Sequence, residues 1–211
     1  MKKKFVLTVL FILPLVVYMF FASGVTNFGR LPVLSGPVPE LDTFEGGQRL
    51  KDRITVMGFL GDSIGIRQGQ LFNLNQKIYK RFYEFRDFQM LMVAPEGSRE
   101  EVEAVMKELE TFTDTRNWHF AYGPPAEIQA YFDRLGTGLS LDATGGSPYV
   151  FIIDKDRMLR GRKKDEDTGI KFGFDATSVA DLNNKMEDDM KIILAEYRLA
   201  LKSNQAGRNN E

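Results

Sequence analysis

The sequence predicts a three-layer α/β domain with a mixed central sheet, preceded by a single N-terminal transmembrane helix. Three observations predict it. Short apolar runs alternate with helical periodicities from Ile54 to Leu135, in the order β, α, β, α, β, α. The order then changes to a hairpin across Tyr149 to Gly161, and a last amphipathic stripe follows from Val179 to Tyr197. A chain of 211 residues, 43% of them hydrophobic, has enough apolar surface to bury one sizeable core.

Each element has its own signal. Ile54 to Leu60 is a short apolar run, as expected of a strand buried on both faces, and a loop begins at Gly61. Leu71, Leu74, Ile78, Phe82 and Phe85 recur at three- and four-residue intervals and place one apolar face on a long helix. Phe88 to Val93 reads as a second strand. Ser98 and Glu101 then stand at the first and fourth positions of a capping box ahead of Val102, Val105, Leu109 and Phe112. Asn117 to Ala121 alternates as a third strand, and the next helix carries Pro125 in its first turn, Ile128, Tyr131, Phe132 and Leu135 on its apolar face, and Gly136 at its end. Tyr149 to Ile153, a tight turn over Asp154 to Arg157, and Met158 to Gly161 make the hairpin. Arg157 stands where such turns commonly carry glycine, so either it takes a left-handed backbone or the turn type differs. Lys163 to Gly169 reads as an exposed polar loop, and the final helix is capped by Thr177 or Ser178.

Lys2, Lys3 and Lys4 precede an uncharged, mostly apolar run from Phe5 to Ala22. As a helix this run reaches roughly 27 Å, close to the hydrocarbon thickness of a bilayer. The lysines are expected to stay on the cytoplasmic side, which sends the rest of the chain outward as a single-pass protein of the inner (cytoplasmic) membrane, facing the periplasm or cell exterior. Ala22, Ser23 and Gly24 also suit a peptidase site, so a cleaved signal is the alternative to an anchor. The expected organisation is therefore an anchor or signal over 1–24, an extended linker over 25–45 with Pro32, Pro37 and Pro39, the folded domain over 46–200, and a flexible tail over 201–211.

Composition excludes several chemistries. Twenty-eight Lys and Arg balance 29 Asp and Glu, so no global field draws nucleic acid. The absence of cysteine removes disulfides, thiolate nucleophiles and thiolate metal ligands. His119 is the only histidine; with Trp118 and Phe120 expected on the opposite face of its strand, it reads as structural or surface. Met106, Met186 and Met190 fall on helix core stripes, and Met57, Met90 and Met92 fall in buried strands, so the nine methionines read as core rather than as a copper site. Asp154 and Asp156 begin like a calcium loop, but Leu159 stands where that loop needs glycine. Gly136, Gly138, Gly145 and Gly146 read as turns.

Three segments resemble the SCO1/SenC family of membrane-anchored copper proteins, which have a thioredoxin-like fold. These are Val93-Ala94-Pro95-Glu96 with Arg99-Glu100-Glu101-Val102, Asn117-Trp118-His119-Phe120 with Tyr122-Gly123 and Pro125-Ala126-Glu127-Ile128, and Phe151-Ile152-Ile153-Asp154-Lys155-Asp156. The family carries a C-x-x-x-C pair where the first strand enters its helix; here that stretch reads Asp62-Ser63-Ile64-Gly65-Ile66-Arg67. Its copper-binding histidine precedes the closing strand, where this chain has Asp142 to Pro148 without histidine. The resemblance thus implies a divergent member with no copper cofactor and no catalytic or metal-ligating residues of the family type. It leaves a degenerate loop of Asp62, Ser63, Ile64 and Arg67 that would bind a partner or an anion at a helix N-terminus, with ordinary helix capping as the competing reading. Ser147-Pro148 resembles the turn that holds cis-proline in thioredoxins, which makes Pro148 the cis-proline candidate. The implied role is a non-catalytic binding or assembly factor, with an oxidase subunit or assembly factor of a respiratory (cytochrome c) oxidase as partner. A copper metallochaperone or thiol-disulfide oxidoreductase using unconventional ligands or partner thiols is the alternative.

Overall fold

The computed structural model describes residues 10–19 and 30–208. The strands are β1 (Val33–Ser35), β2 (Ile54–Phe59), β3 (Phe88–Pro95), β4 (Trp118–Gly123), β5 (Tyr149–Ile153), β6 (Leu159–Arg160), β7 (Arg162–Asp165), β8 (Gly169–Lys171) and β9 (Phe174–Asp175). The main sheet runs β1-β6-β5-β2-β3-β4, with β9 beside the start of β5. β2, β3 and β4 are mutually parallel, whereas β5, β6 and β1 join antiparallel. Parallel neighbours need crossovers, and two helices supply them. Helix α1 links β2 to β3 as Ile64–Leu74, a π-helical turn at Asn75–Tyr79 and Lys80–Phe82; helix α2 (Arg99–Glu110) links β3 to β4. Helix α3 (Pro125–Asp133) follows β4, and the terminal helix α4 runs through Val179–Asp181, a π-helical turn at Leu182–Met186 and Glu187–Arg208.

Alternation along the strands sends side chains to two separate cores, the signature of a sheet covered on both faces. Val56, Met90, Met92, Val150 and Ile152 meet α1, α2 and α4 on one face. Met57, Phe59, Leu91, Val93, Phe151 and Ile153 meet α3 and the segment Val38 to Leu50 on the other. Thr55 and Gln89, opposite one another in register, are the buried polar pair of this second face: Gln89 Nε2 donates to Thr55 Oγ1 at 2.9 Å and to the Arg49 carbonyl at 3.1 Å. The five methionines expected in strands or on helix α4, Met57, Met90, Met92, Met186 and Met190, are all buried.

Several expectations are corrected. The part of the expected 25–45 linker that is described is not free: Val33–Ser35 pairs with β6, and Val38, Leu41 and Phe44 are buried, so packed structure is present from Leu31 rather than from 46. Proline punctuation suggested a spacer, but the apolar residues between the prolines reach the sheet face. The polar stretch 163–169 is a hairpin of β7 and β8 held by ion pairs, Arg162 on both oxygens of Asp189 and Lys185 on Asp165, which hydrophobic periodicity does not register. The tail expected from 201 stays helical to Arg208. The Ser98–Glu101 capping box does not form. A 3-10 turn at Glu96–Ser98 precedes α2, and the Ser98 hydroxyl donates back to the Pro95 carbonyl at 2.6 Å instead. Phe112 lies past the end of α2, more than half exposed, with its ring edge on Phe72.

Other expectations hold. Ser178 caps α4 by accepting from the Asp181 N–H at 3.2 Å. The Asp154 to Arg157 turn closes the β5–β6 hairpin, with Asp154 Oδ1 accepting from the Asp156 and Met158 N–H groups, and Arg157 adopts the left-handed backbone at φ +64°. The Ser147–Pro148 bond is trans, correcting the cis-proline expectation; among the described residues the cis X-Pro bond is Gly36–Pro37. Gly146 and Ser147 already run extended against Leu60 and Phe59, so a trans bond feeds directly into β5. Of the expected transmembrane segment only 10–19 are described, and they are helical. The rest of 1–24 lies outside the described residues. No helix among the described residues is long and apolar enough to cross a membrane.

Candidate functional site

The site begins where β2 ends. Gly61 sits at φ +71°, and a Cβ there would stand 2.6 Å from the Thr144 carbonyl and 2.8 Å from the Gly146 nitrogen, so the chain before β5 lies against this turn. Main-chain bonds fasten the two loops: the Asp62 N–H donates to the Thr144 carbonyl and the Ser147 N–H to the Phe59 carbonyl, each at 2.9 Å. Leu60 and Gly146 form a bridge between them.

The four residues expected at this loop divide into two pairs. Asp62 and Ser63 are on the surface, Asp62 exposed and Ser63 half-buried, and the Ser63 hydroxyl donates to Asp62 Oδ1 at 3.0 Å. Ser63 occupies the N-cap position of α1 without a side-chain capping bond, so neither residue caps the helix in the ordinary way. Ile64 and Arg67 are buried and cannot meet a partner from solvent. Ile64 belongs to the core between the sheet and the helices. The Arg67 guanidinium, on the first turns of α1, points inward to the Asp142 carboxylate and packs against Gly146, where a Cβ would fall 2.9 Å from Nη2.

Asp142 is the organising acid of the second loop. Oδ1 accepts from the Thr144 hydroxyl at 2.6 Å, the Thr144 N–H at 2.9 Å and the Gly146 N–H at 3.2 Å, while Oδ2 takes Arg67. Burial raises its pKa, but the bonds from Thr144, Gly146 and Arg67 outweigh that and hold the carboxyl at about 2. Sequence reasoning did not single out Asp142 or Thr144 as site residues. The Asp-x-Thr spacing of an Asx turn was the available signal.

Beside this junction lies a cleft of about 340 Å³ between the end of β3 and the start of α3, lined by Asp62, Pro95, Pro125, Ile128, Leu141 and Asp142. Gln129 and Thr144 also line it, and the side-chain atoms there that could ligate a metal are the oxygens of Asp62, Gln129, Asp142 and Thr144. His119 lies on β4 opposite Leu91, half-buried, its pKa lowered by burial and by Arg53, a residue at the other end of the sheet from the cleft. Trp118 and Phe120 pack on the opposite face, as their alternation implied.

A mixed sheet with parallel crossovers, a closing hairpin, and a loop leading from the first core strand into its helix define a thioredoxin-like fold. BsSco, a member of the Sco family of cytochrome c oxidase assembly proteins, superposes with a TM-score of 0.51 at 12% identity, over 78% of this chain and 97% of its own. A putative protein disulfide isomerase from Bacteroides thetaiotaomicron gives 0.42 at 13% identity, over 82% of this chain and 89% of its own. Arabidopsis thaliana ScoI with copper bound gives 0.40 at 14% identity, over 67% of this chain and 86% of its own. No family model and no curated protein matches the sequence.

Proposed function

We propose that this protein is a membrane-anchored, outward-facing binding or assembly factor that uses a Sco-like thioredoxin fold without thiol or copper chemistry of its own. The observation that carries the reading is the junction of the two loops that a Sco protein would use for chemistry. In this chain Arg67 and Asp142 join them through an ion pair, and no cysteine stands in either. Cuprous ion prefers thiolate and imidazole ligands, and this junction offers carboxylate and hydroxyl oxygens. What remains is a preorganised cleft edged by Asp62 and floored by Pro95, Pro125 and Ile128, suited to holding a protein segment.

The lysine-flanked apolar run Phe5 to Ala22 supports anchoring in the cytoplasmic membrane, with the domain in the periplasm or cell exterior. The near balance of charge speaks against nucleic acid as a partner. The description of BsSco as a cytochrome c oxidase assembly protein suggests the process, maturation of a respiratory oxidase, and an oxidase subunit or assembly factor as partner.

The test is anaerobic cuprous titration of the full chain in detergent against a competing chelator, beside an Asp62→Ala/Ser63→Ala variant. The chelator is expected to keep the copper. About one copper retained per chain, and lost in the variant, overturns the reading in favour of a metallochaperone with oxygen ligands. Deleting the gene is expected to lower assembled cytochrome c oxidase; unchanged oxidase removes the assignment to that process.

A further inference from the structure

The end of the sheet opposite the cleft carries a surface that the proposed function does not use. Leu31, the first packed residue, is clamped there by both backbone groups: its N–H donates to Glu196 Oε1 at 2.9 Å, and its carbonyl accepts from Arg160 Nε at 2.7 Å. Arg160 is itself buried between Asp154 Oδ2 at 2.7 Å and Glu196 Oε2 at 2.6 Å. Only residues 23–30 separate this clamp from the end of the apolar run at Ala22. Fully extended, they span at most about 29 Å at roughly 3.6 Å per residue. A domain tethered this closely to a bilayer carries its clamp within about 29 Å of the headgroups, close enough for this end to reach them.

Next to the clamp, the C-terminal part of α4 and the residues just after α1 enclose a groove. One part, of about 390 Å³, opens beside Ile54 and Phe88, the first residues of β2 and β3; a second, of about 340 Å³, continues it through the shared residues Phe85, Leu194 and Arg198. Tyr197 lines both the groove and the cavity that contains Arg30 and Leu31, so tether and groove form one surface. The floor is apolar and the rim is cationic. The carboxylate in the lining, Asp87, is already neutralised by Lys155. Arg86 and Arg198 are exposed and, among the described residues, form no ion pair, as are Arg30 and Arg53 at the same end. Arg67, Arg81 and Arg99 elsewhere are paired, as is Arg49 with Asp52 near this end; Arg134, at the end of α3, is likewise exposed and without an ion pair among the described residues. Leu199 adds an exposed apolar side chain at the mouth.

We propose that this base docks on the membrane that holds the protein's own N-terminal run, taking anionic phospholipid headgroups into the groove. Arg86 and Arg198 meet the phosphate, and Phe85, Leu194 and Leu199 lie against the upper acyl chain. The inference rests on the anchored reading above. It adds a fixed orientation: the base faces the bilayer, and the cleft at Asp62 and Asp142, beyond the opposite ends of β2 and β3, faces the compartment.

The native chain has no cysteine, so single-cysteine labelling is direct. Full-length Leu199→Cys, and Gln129→Cys at the cleft end, are labelled with a fluorophore and reconstituted into vesicles of phosphatidylcholine, with or without phosphatidylglycerol, that contain headgroup-nitroxide lipid. The Leu199→Cys label is expected to be quenched and the Gln129→Cys label spared. Phosphatidylglycerol should strengthen the contrast, and added salt should weaken it. Arg86→Glu, Arg198→Glu and the milder Arg198→Ala should each reduce headgroup association by roughly fivefold or more, in proteins whose melting is unchanged. Equal quenching at both labels, or indifference to phosphatidylglycerol and salt in protein that floats with the vesicles, overturns the docking and leaves the anchor intact. Failure to float overturns the anchored reading and the docking with it.

Discussion

Arg67 of α1 reaches across 75 residues of sequence to the Asp142 carboxylate, and through this pair the loop after β2 and the loop before β5 become one rigid unit. The two ends differ in burial: the arginine side chain is 5% exposed and the carboxylate 41%. That asymmetry sets the first expectation. Asp142→Ala strands a buried guanidinium, while Arg67→Met replaces it with an apolar chain of similar length and leaves a carboxylate that water can reach. Asp142→Ala should cost about 3 kcal/mol and Arg67→Met about half that, read as shifts in urea midpoint at constant m-value. The reverse ranking would show that Arg67 is not the group that depends on the pair.

Acid should loosen the molecule in a narrow window. Asp142 and Asp165 are each held at about 2, below the ordinary 3.8; in both cases bonds from neighbours overcome the upward push of burial, from Thr144, Gly146 and Arg67 at the first and from Lys185 and the Asp167 backbone at the second. A depressed folded-state pKa means that the unfolded chain binds protons first. The stabilisation is therefore complete above about pH 4 and disappears as pH falls through about 2. Asp165 is almost fully buried and should contribute on the order of 2 kcal/mol, Asp142 less because solvent screens it. Asp165→Asn should flatten the fall in melting temperature between pH 4 and 2, measured by circular dichroism.

Gly61 and Gly69, eight residues apart, behave oppositely because of what surrounds them: Gly61 is closed in by Thr144 and Gly146, whereas nothing lies within 4 Å of a Cβ built on Gly69 in α1. Gly61→Ala combines a left-handed backbone with a backbone clash and should destabilise by about 2 kcal/mol or more. Gly69→Ala should stabilise by about 0.5 to 1 kcal/mol through helix propensity. Thermal melts of the two variants check both signs.

Arg160 joins the N-terminal segment to the terminal helix. Its pKa is raised: burial alone would lower it, and the bonds to Asp154 and Glu196 more than reverse that. Arg160→Met should leave both acids unpaired and cost about 3 to 5 kcal/mol. It should also release the Leu31 carbonyl and free Glu196, the acceptor of the Leu31 amide, so hydrogen exchange at residues 31–35 should rise before exchange in β2 and β3 does.

Much of the fold was legible in the sequence because buried strands and amphipathic helices write their periods directly. Tyr149–Ile153 falls where its apolar run stands, and Arg157 takes the left-handed backbone that its place in the turn required of one alternative. The site was legible only in part. Asp62 and Ser63 are exposed or half-exposed at the expected loop, but Arg67, an arginine one would place on a surface, is buried by a partner 75 residues away. The β7–β8 hairpin escaped notice for the same reason: Asp165 and Arg162 are held by Lys185 and Asp189, charges on a distant helix.

The order of residues is enough to establish that this chain has no thiolate to offer, that its helices and core strands alternate as an α/β domain, and that its N-terminal run is long and apolar. Those are matters of residue identity and local period. Tertiary structure alone decided that the proline-punctuated segment after the run is packed onto the sheet, that Pro148 enters β5 in trans, and that Arg67 faces inward rather than toward a partner. Each depends on which distant groups meet, since a charged or polar residue is buried only where a partner from elsewhere in the chain satisfies it, and a local pattern does not carry that information.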